Sequence, residues 1–576
     1  MLHIKKRNQK LNIGLTLGML AMVMIVASVC FDFYYDLNDD VLIKDILAGV
    51  HTGNPEGHVI QMLYPIGLFI SLFYQIVPSL PWFGYFLCGA HLLCFYLIGI
   101  RLVSFTERIS YKIMLLATEA ILILGLYGYE LIYVQYTVVC AMLAGTAAFW
   151  LYTIPEKDSK KFMAQASISI FLVWVSFMIR TEMLLLMSPF LAIAGILIWS
   201  KEEHVFAKES IGKFGTVILA IFVLVGSAYV SNEIAYSSSG WQKFTDFFDA
   251  RTEVYDFTWY PSYEGNEEFY ESIGIDETNY VLLENYNFGL DHSIDEDTLN
   301  SIAQYASSMK TEESIVTTIK QVIYEYKYQT VNVGYPYNSI IFLGYVSIIL
   351  LAWMNRDCSI FWKIPMMGMF RSVPWFYILY KGRLVDRVIH PMYIVEILIL
   401  IAVIAMEMEE KKVVIGKTFI GIVLLSGILL LPSTFMSIQA EATTREQYNQ
   451  VDLALKEYTD TNDDKYYYVD VYSTVTFSEK IFVDVDNTMR NYDLLGGWAN
   501  RSPFSDAIWE ENGFTNFIIK EGQSVEWIQD YYESRGELIE MAQVDTILVE
   551  GARDSSIDLE AGQLDIRNLA VYQIVR

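Results

Sequence analysis

Residues 31–58 read FDFYYDLNDDVLIKDILAGVHTGNPEGH and follow directly on an apolar run, residues 11–30. A run of about 20 apolar residues is long enough to cross a bilayer. The leading LHIKKRNQK is basic, which sets that end on the cytoplasmic side. No small-residue cleavage site precedes Phe31, so the run reads as an uncleaved first transmembrane helix. The stretch 31–58 therefore emerges on the outer side. It carries the adjacent carboxylates Asp39 and Asp40 just ahead of VLIKDILAG, which has the spacing of an amphipathic helix. Asn38-Asp39-Asp40 is a helix N-cap by residue type. A carboxylate at a water–membrane boundary can also accept a proton, and two so close push their ionisations apart. His58 closes the stretch, either as an orienting group or as a plain surface residue.

The rest of the composition agrees with a membrane body. Hydrophobic residues make up 54% of 576 positions and the mean hydropathy is +0.32, above the roughly 45–50% apolar content of soluble chains. The net charge is nevertheless -27. Residues 232–335 hold 19 acids against 5 bases, and residues 434–576 hold 27 against 11. The acidity is thus confined to two aqueous regions, where it favours solubility; no nucleic-acid partner is expected. The five cysteines, Cys30, Cys88, Cys94, Cys140 and Cys358, lie in or beside apolar segments. Neither acidic region can form a disulfide framework or a thiolate metal site, and no metal or other cofactor is expected.

Positive-inside bias orders the spans. If 59–80 lies in the interface or re-enters, Arg101, Arg108 and Lys112 fall inside. Spans near 82–100, 113–129, 131–152, 162–180, 183–199 and 214–230 then alternate, followed by 338–354, 364–380, 391–406 and 413–432. With the first, that makes eleven. The expected units are an N-terminal membrane core (1–231) with its external loop 31–58, a large acidic external loop (232–335), the C-terminal membrane helices (336–433) and an external α/β domain (434–576).

One connector breaks the bias. KGRLVDRVIH, between two spans, puts Lys381, Arg383, Arg387 and His390 outside. These residues either anchor to headgroups or clamp a phosphate, for which Arg is suited by its planar fork of donors. Within apolar segments, Arg180 and Glu182 (FMIRTEML) stand at an outer boundary and either pair together or face a pathway. Arg371 (GMFRSVPWF) is nearly half-way along its span, where an ionisable group is costly and faces an interior cavity or a pathway. Glu119 and Glu130 sit close to helix ends and are weaker candidates.

This layout resembles the GT-C class of membrane glycosyltransferases, which includes protein O-mannosyltransferases and the lipid A aminoarabinose transferases. The resemblance rests on DLNDDVLIKD after the first span, the interfacial HVIQMLYPIGLFISLFYQIVPSLPWFG and the external KGRLVDRVIH, and covers residues 1–432 as architecture. It implies transfer of a hexose or pentose, with inversion, from a polyprenyl-phosphate carrier to a glycan, glycolipid or protein acceptor outside the plasma membrane. It also implies a base at Asp39 or Asp40 and a lipid-phosphate clamp at Lys381, Arg383, Arg387 and Arg371. His58, Arg180 and Glu182 are further candidates. The alternatives are a flippase for a lipid-linked saccharide, which an internal repeat across the spans would mark, and a non-catalytic surface-assembly protein.

The external regions are less specific. WQKFTDFFDARTEVYDFTWYPSYEGNEEFY is aromatic enough to stack on sugars, or to pack a helical subdomain, and DEDTLNSIAQYASSM has a helix start. After a helix over 434–460, KYYYVDVYS, KIFVDV, NFIIK, TILVE and LAVYQIV read as strands and SVEWIQDYYESRG as a helix, a small α/β domain. The GGWANRSPFSD turn is an acceptor contact or a loop.

Overall fold

Tyr136–Tyr152 is apolar on every side, which suits a core as well as lipid, and every one of its residues is buried. Trp82–Ser104, Ser159–Ile179, Thr181–Trp199 and Asp386–Lys411 surround it. Gly145 permits a close approach of the last of these, since a Cβ there would lie 2.7 Å from Val395 Cγ2. The computed structural model describes residues 2–155, 158–309, 315–334, 336–411, 414–553 and 564–575. Among them, 8 helices are long and apolar enough to cross a membrane, so the chain is a multi-pass, largely helical membrane protein. The other three expected spans are also helices, Ile109–Gly125, Tyr136–Tyr152 and Ile360–Lys381, but are shorter or more charged. The span expected over 131–152 starts only at Tyr136, because Tyr133–Val134 is drawn off as a strand.

Residues 59–80 contain one helix, Tyr64–Ile76, of 13 residues. At 1.5 Å per residue that is about 20 Å, short of the hydrocarbon core. It is tied at its start by Leu63 N–H to the Met178 carbonyl (2.9 Å) and Tyr64 N–H to Asn232 Oδ1 (2.9 Å).

The long last helix, Val414–Thr461, runs 48 residues, with Pro432 inside it. Its length of about 72 Å is more than twice the ~30 Å core, so its second half stands in water. The span at 413–432 and the helix over 434–460, read separately in the sequence, are one rod.

Seven strands occur among the described residues: β1 (Tyr34–Tyr35), β2 (Tyr133–Val134), β3 (Tyr467–Val469), β4 (Tyr492–Leu494), β5 (Asn516–Lys520), β6 (Glu540–Ile547) and β7 (Leu569–Val575). β1 and β2 pair in parallel; the others form one sheet in the order β4-β3-β5-β7-β6. Side chains alternate across a sheet, and in β3 and β5 both faces are buried, whereas the edge strand β6 is largely exposed. Tyr468, Phe517 and Ile519 face Phe247, Tyr270, Leu282 and Phe288 of the acidic region. Tyr467, Val469, Ile518 and Val571 face Val451 and Leu455 of the long helix. The two acidic regions therefore share a core. KIFVDV, expected as a strand of this sheet, is not one: Lys480 bridges to Tyr34 instead. Its polar backbone is satisfied by the first external loop, so alternation alone misassigned its partner.

The first loop, the acidic region and the sheet domain gather at one end of the helices. With this end outside, cysteines introduced singly as Glu268→Cys or Gln523→Cys, both at exposed positions, into a background without the five native cysteines are expected to react with an impermeant thiol reagent in intact cells. Labelling only after lysis would reject that orientation.

Candidate active site

The loop at 31–58 is held by backbone pairing on two sides. β1 lies against β2, with Asp36 N–H donating to the Val134 carbonyl (3.0 Å). On its other flank Tyr35 N–H donates to the Glu479 carbonyl (2.9 Å) and Ile481 N–H to the Phe33 carbonyl (2.8 Å). The chain then turns into the helix Asn38–Ala48, which ends at Gly49 in the left-handed region (φ 88°). A Cβ on Gly49 would also lie 2.6 Å from the Asn54 backbone, so this turn requires glycine.

The two adjacent carboxylates have different surroundings. Asp40 is fully buried. Its Oδ2 accepts from Leu37 N–H (3.3 Å) and its Oδ1 from Tyr136 N–H (3.1 Å), so it ties together the N-termini of two helices. Burial holds its carboxyl well above the usual range, with Asp36 and Asp39 adding to the effect against those two hydrogen bonds. Asp39 is half-buried. One of its oxygens accepts from Trp498 Nε1 (2.9 Å), and its charge acts on Tyr136, Arg180 and Arg251.

Asp36 is a third carboxylate here, absent from the sequence reading. Arg445, on the aqueous half of the long helix, donates to its Oδ1 (2.8 Å) and to its carbonyl (2.6 Å). The same guanidinium lies 4.2 Å over the Tyr133 ring and pairs with Glu441 (2.9 Å). Burial raises the Asp36 carboxyl, and Arg445 opposes that rise.

Cations approach the carboxylates from several elements. Arg180 occupies the extended break between two helices (φ -156°). It donates to Gln61 Oε1 and to the Tyr136 hydroxyl (3.0 Å), and pairs with Glu182 (3.0 Å). Arg383 pairs with Asp256 (3.2 Å), and Phe257 lies under both Lys381 (5.1 Å) and Arg383 (5.4 Å). Arg387 has no ion pair or hydrogen bond among the described residues, yet its charge reaches Asp36 and Tyr136. Arg251, missed in the sequence, faces the same space. Burial lowers its pKa, Asp256 and Asp39 oppose that, and Arg383 adds to it. Its Nε has no partner, and Tyr286 lies 5.2 Å beneath it. Only its position within the aromatic run hinted at a role, and packing explained that run equally well.

Other candidates stand apart. Arg371 pairs with Glu396 (2.8 Å) and donates to Tyr326 inside the helix bundle, and Glu396 also accepts from Tyr345 (3.0 Å). His58 stacks on Trp241 (4.7 Å) and contacts Glu56 (2.8 Å) and the Ala235 carbonyl (3.2 Å), which fastens the loop to the acidic region. His390 contacts Glu130 (3.0 Å). Within the bundle a cavity of about 750 Å³ is lined by Phe95, Ile98, Leu122, Ile123, Ile397 and Ile401, with Glu119 in its wall and Glu107 and Arg108 at the end away from the first loop. The five cysteines are free. Among the described residues no group of three His, Cys, Asp or Glu could hold a metal ion.

The C-terminal region grips the loop through charge as well as backbone. Glu479 accepts from Lys44 (2.5 Å) and Lys456 (2.6 Å). Burial pushes its carboxyl up, but the two lysines outweigh this and hold it at about 2. A depressed carboxylate adds stability above its unfolded pKa of about 4.3 and loses it as the pH falls toward the folded value. Glu479→Gln is therefore expected to lower Tm at pH 7 and to flatten the loss of Tm between about pH 4.3 and 2. Equal acid sensitivity in the variant would remove Glu479 from this role.

No protein-family model matches the chain, and no curated protein does. Two solved structures are similar to it: ArnT from Cupriavidus metallidurans in the apo state, at 11% identity and a TM-score of 0.39, and ArnT from the same organism bound to undecaprenyl phosphate, at 12% and 0.38. Each similarity covers 97% of this chain and 98% of the other.

Proposed function

We propose that this protein is a membrane glycosyltransferase that moves a sugar, with inversion, from a polyprenyl-phosphate carrier to a hydroxyl of a surface glycan, glycolipid or protein. The reaction takes place outside the plasma membrane, with the N-terminus inside and the sheet domain outside. The observation that carries this reading is one carboxylate, Asp39, whose charge reaches Arg180 and Arg251, with Arg387 acting on the neighbouring Asp36, at the mouth of a membrane bundle. A base and a set of fixed cations are what displacement of a phosphate by a hydroxyl needs.

In this reading Asp39 takes the acceptor's proton as its oxygen bonds to the anomeric carbon. The bond from that carbon to the phosphate oxygen breaks, and its electron pair leaves on the lipid phosphate. Trp498 holds one Asp39 oxygen and leaves the other for the acceptor. Arg251, Arg383 and Arg387 meet the charge growing on the phosphate, and the apolar cavity can take part of a lipid chain. The test is to incubate the purified protein with a panel of polyprenyl-phosphate sugars and follow transfer or hydrolysis. Release of polyprenyl phosphate from at least one donor is expected; none from any would reject the reading.

Within this scheme, Arg251→Ala and Arg387→Ala should each weaken donor binding about tenfold to a hundredfold. That is the worth of a lost charged hydrogen bond, about 1.5–3 kcal/mol. Unchanged donor affinity in the folded variants would reduce both residues to membrane or loop anchors.

A further inference from the structure

A second cleft lies on the far flank of β1, away from Arg180 and Arg251. It has a volume of about 500 Å³, within the roughly 300–1,000 Å³ of small-ligand sites. Three elements build it: the helix Asn38–Ala48, the aqueous half of the long helix, and the segment from Ser478 to Tyr492 that grips the first loop. Seven carboxylates and four bases line it.

The pairing of these charges decides what the cleft can hold. Every base is already spoken for: Lys44 and Lys456 by Glu479 (2.5 and 2.6 Å), Lys480 by Asp32 (2.6 Å) and Arg490 by Asp493 (2.9 Å). The carboxylates of Glu446, Asp460 and Asp484, by contrast, have no ion pair among the described residues. A phosphate or uronate would meet no cation that lacks a carboxylate partner, the unpartnered Arg490 Nε being buried, and would be repelled by the unpaired carboxylates of the rim. A hydroxyl-rich ligand would find open acceptors, and an amine on it would gain a charge-assisted bond. The paired charges Lys44, Lys456 and Glu479 are held by one another among apolar side chains such as Val50, Leu453 and Ile481, so they offer oriented groups without reorganising.

We propose that this cleft binds a saccharide free of acidic groups, neutral or amine-bearing, and holds the acceptor chain beside the reacting end of the first loop. The acceptor role rests on the transferase reading, because Tyr34, Tyr35, Lys44 and Asp45 of the cleft belong to the same loop and helix as Asp36 and Asp39. The binding itself does not depend on it.

The test is calorimetry on the full-length protein in detergent with four probes: β-1,4-glucosamine tetramer, its N-acetylated form, galacturonate tetramer and tetralysine. The glucosamine and N-acetylated tetramers are expected to bind, the first at least tenfold tighter at low salt. The galacturonate tetramer is expected not to bind. The triple variant Glu446→Gln, Asp460→Asn, Asp484→Asn should weaken the glucosamine tetramer at least tenfold, with an unchanged Tm showing that it folds. Failure of both glucosamine-based tetramers, comparable binding of galacturonate, or wild-type affinity in the triple variant would overturn the proposal. Tetralysine binding with no neutral-saccharide binding would also overturn it, in favour of a site that reads charge alone. Saccharide binding without release of polyprenyl phosphate from any donor would sink the transferase reading and leave the cleft standing.

Discussion

Asp39→Asn is expected to cut turnover about 10²–10⁴-fold, the usual worth of a positioned base, with donor affinity little changed. Asparagine keeps an oxygen to accept from Trp498 Nε1, so the loop should hold its shape. Asp40→Asn should behave in the opposite way. Both Asp40 oxygens already accept backbone N–H groups, and an amide nitrogen in place of one of them would face a donor. The expected cost is about 1–3 kcal/mol of stability, with near-normal turnover in the folded fraction. Near-wild-type transfer by Asp39→Asn would remove the base from this position. Asp36 would then be the carboxylate to examine, although its tie to Arg445 leaves it less free.

Arg371→Leu carries the second large effect. The change leaves Glu396 buried in the bundle without its ion pair, and breaking a buried pair by removing one partner costs about 3–5 kcal/mol. The expected result is a marked loss of thermal stability in detergent. Arg371→Leu combined with Glu396→Leu should recover most of it, because two apolar residues leave no buried charge. Donor affinity in the double variant should match the wild type. A tenfold or larger loss of donor affinity there would return Arg371 to the lipid-phosphate clamp that the resemblance implied.

Apolar runs and their lengths identified the helices, since burial in lipid leaves a continuous local signal. The charge of KGRLVDRVIH marked a connector that the structure sets near Asp256 and Phe257. Arg371 was legible as costly but not as paired. Its partner is 25 residues away, on another helix, and no spacing rule reports that.

The sequence by itself determined a multi-pass helical body, two acidic aqueous regions and a loop with paired carboxylates after the first helix. Those features follow from composition and from periods of a few residues, which local chain geometry sets. Only the tertiary structure decided that Asp40 caps two helices while Asp39 faces cations, and that Asp36 meets Arg445 across 409 residues and Asp39 meets Trp498 across 459. It also moved KIFVDV from the sheet to the first loop. Such contacts are set by which polar groups remain unsatisfied once the helices and the sheet have packed. That remainder belongs to the whole fold and leaves no repeating trace along the chain.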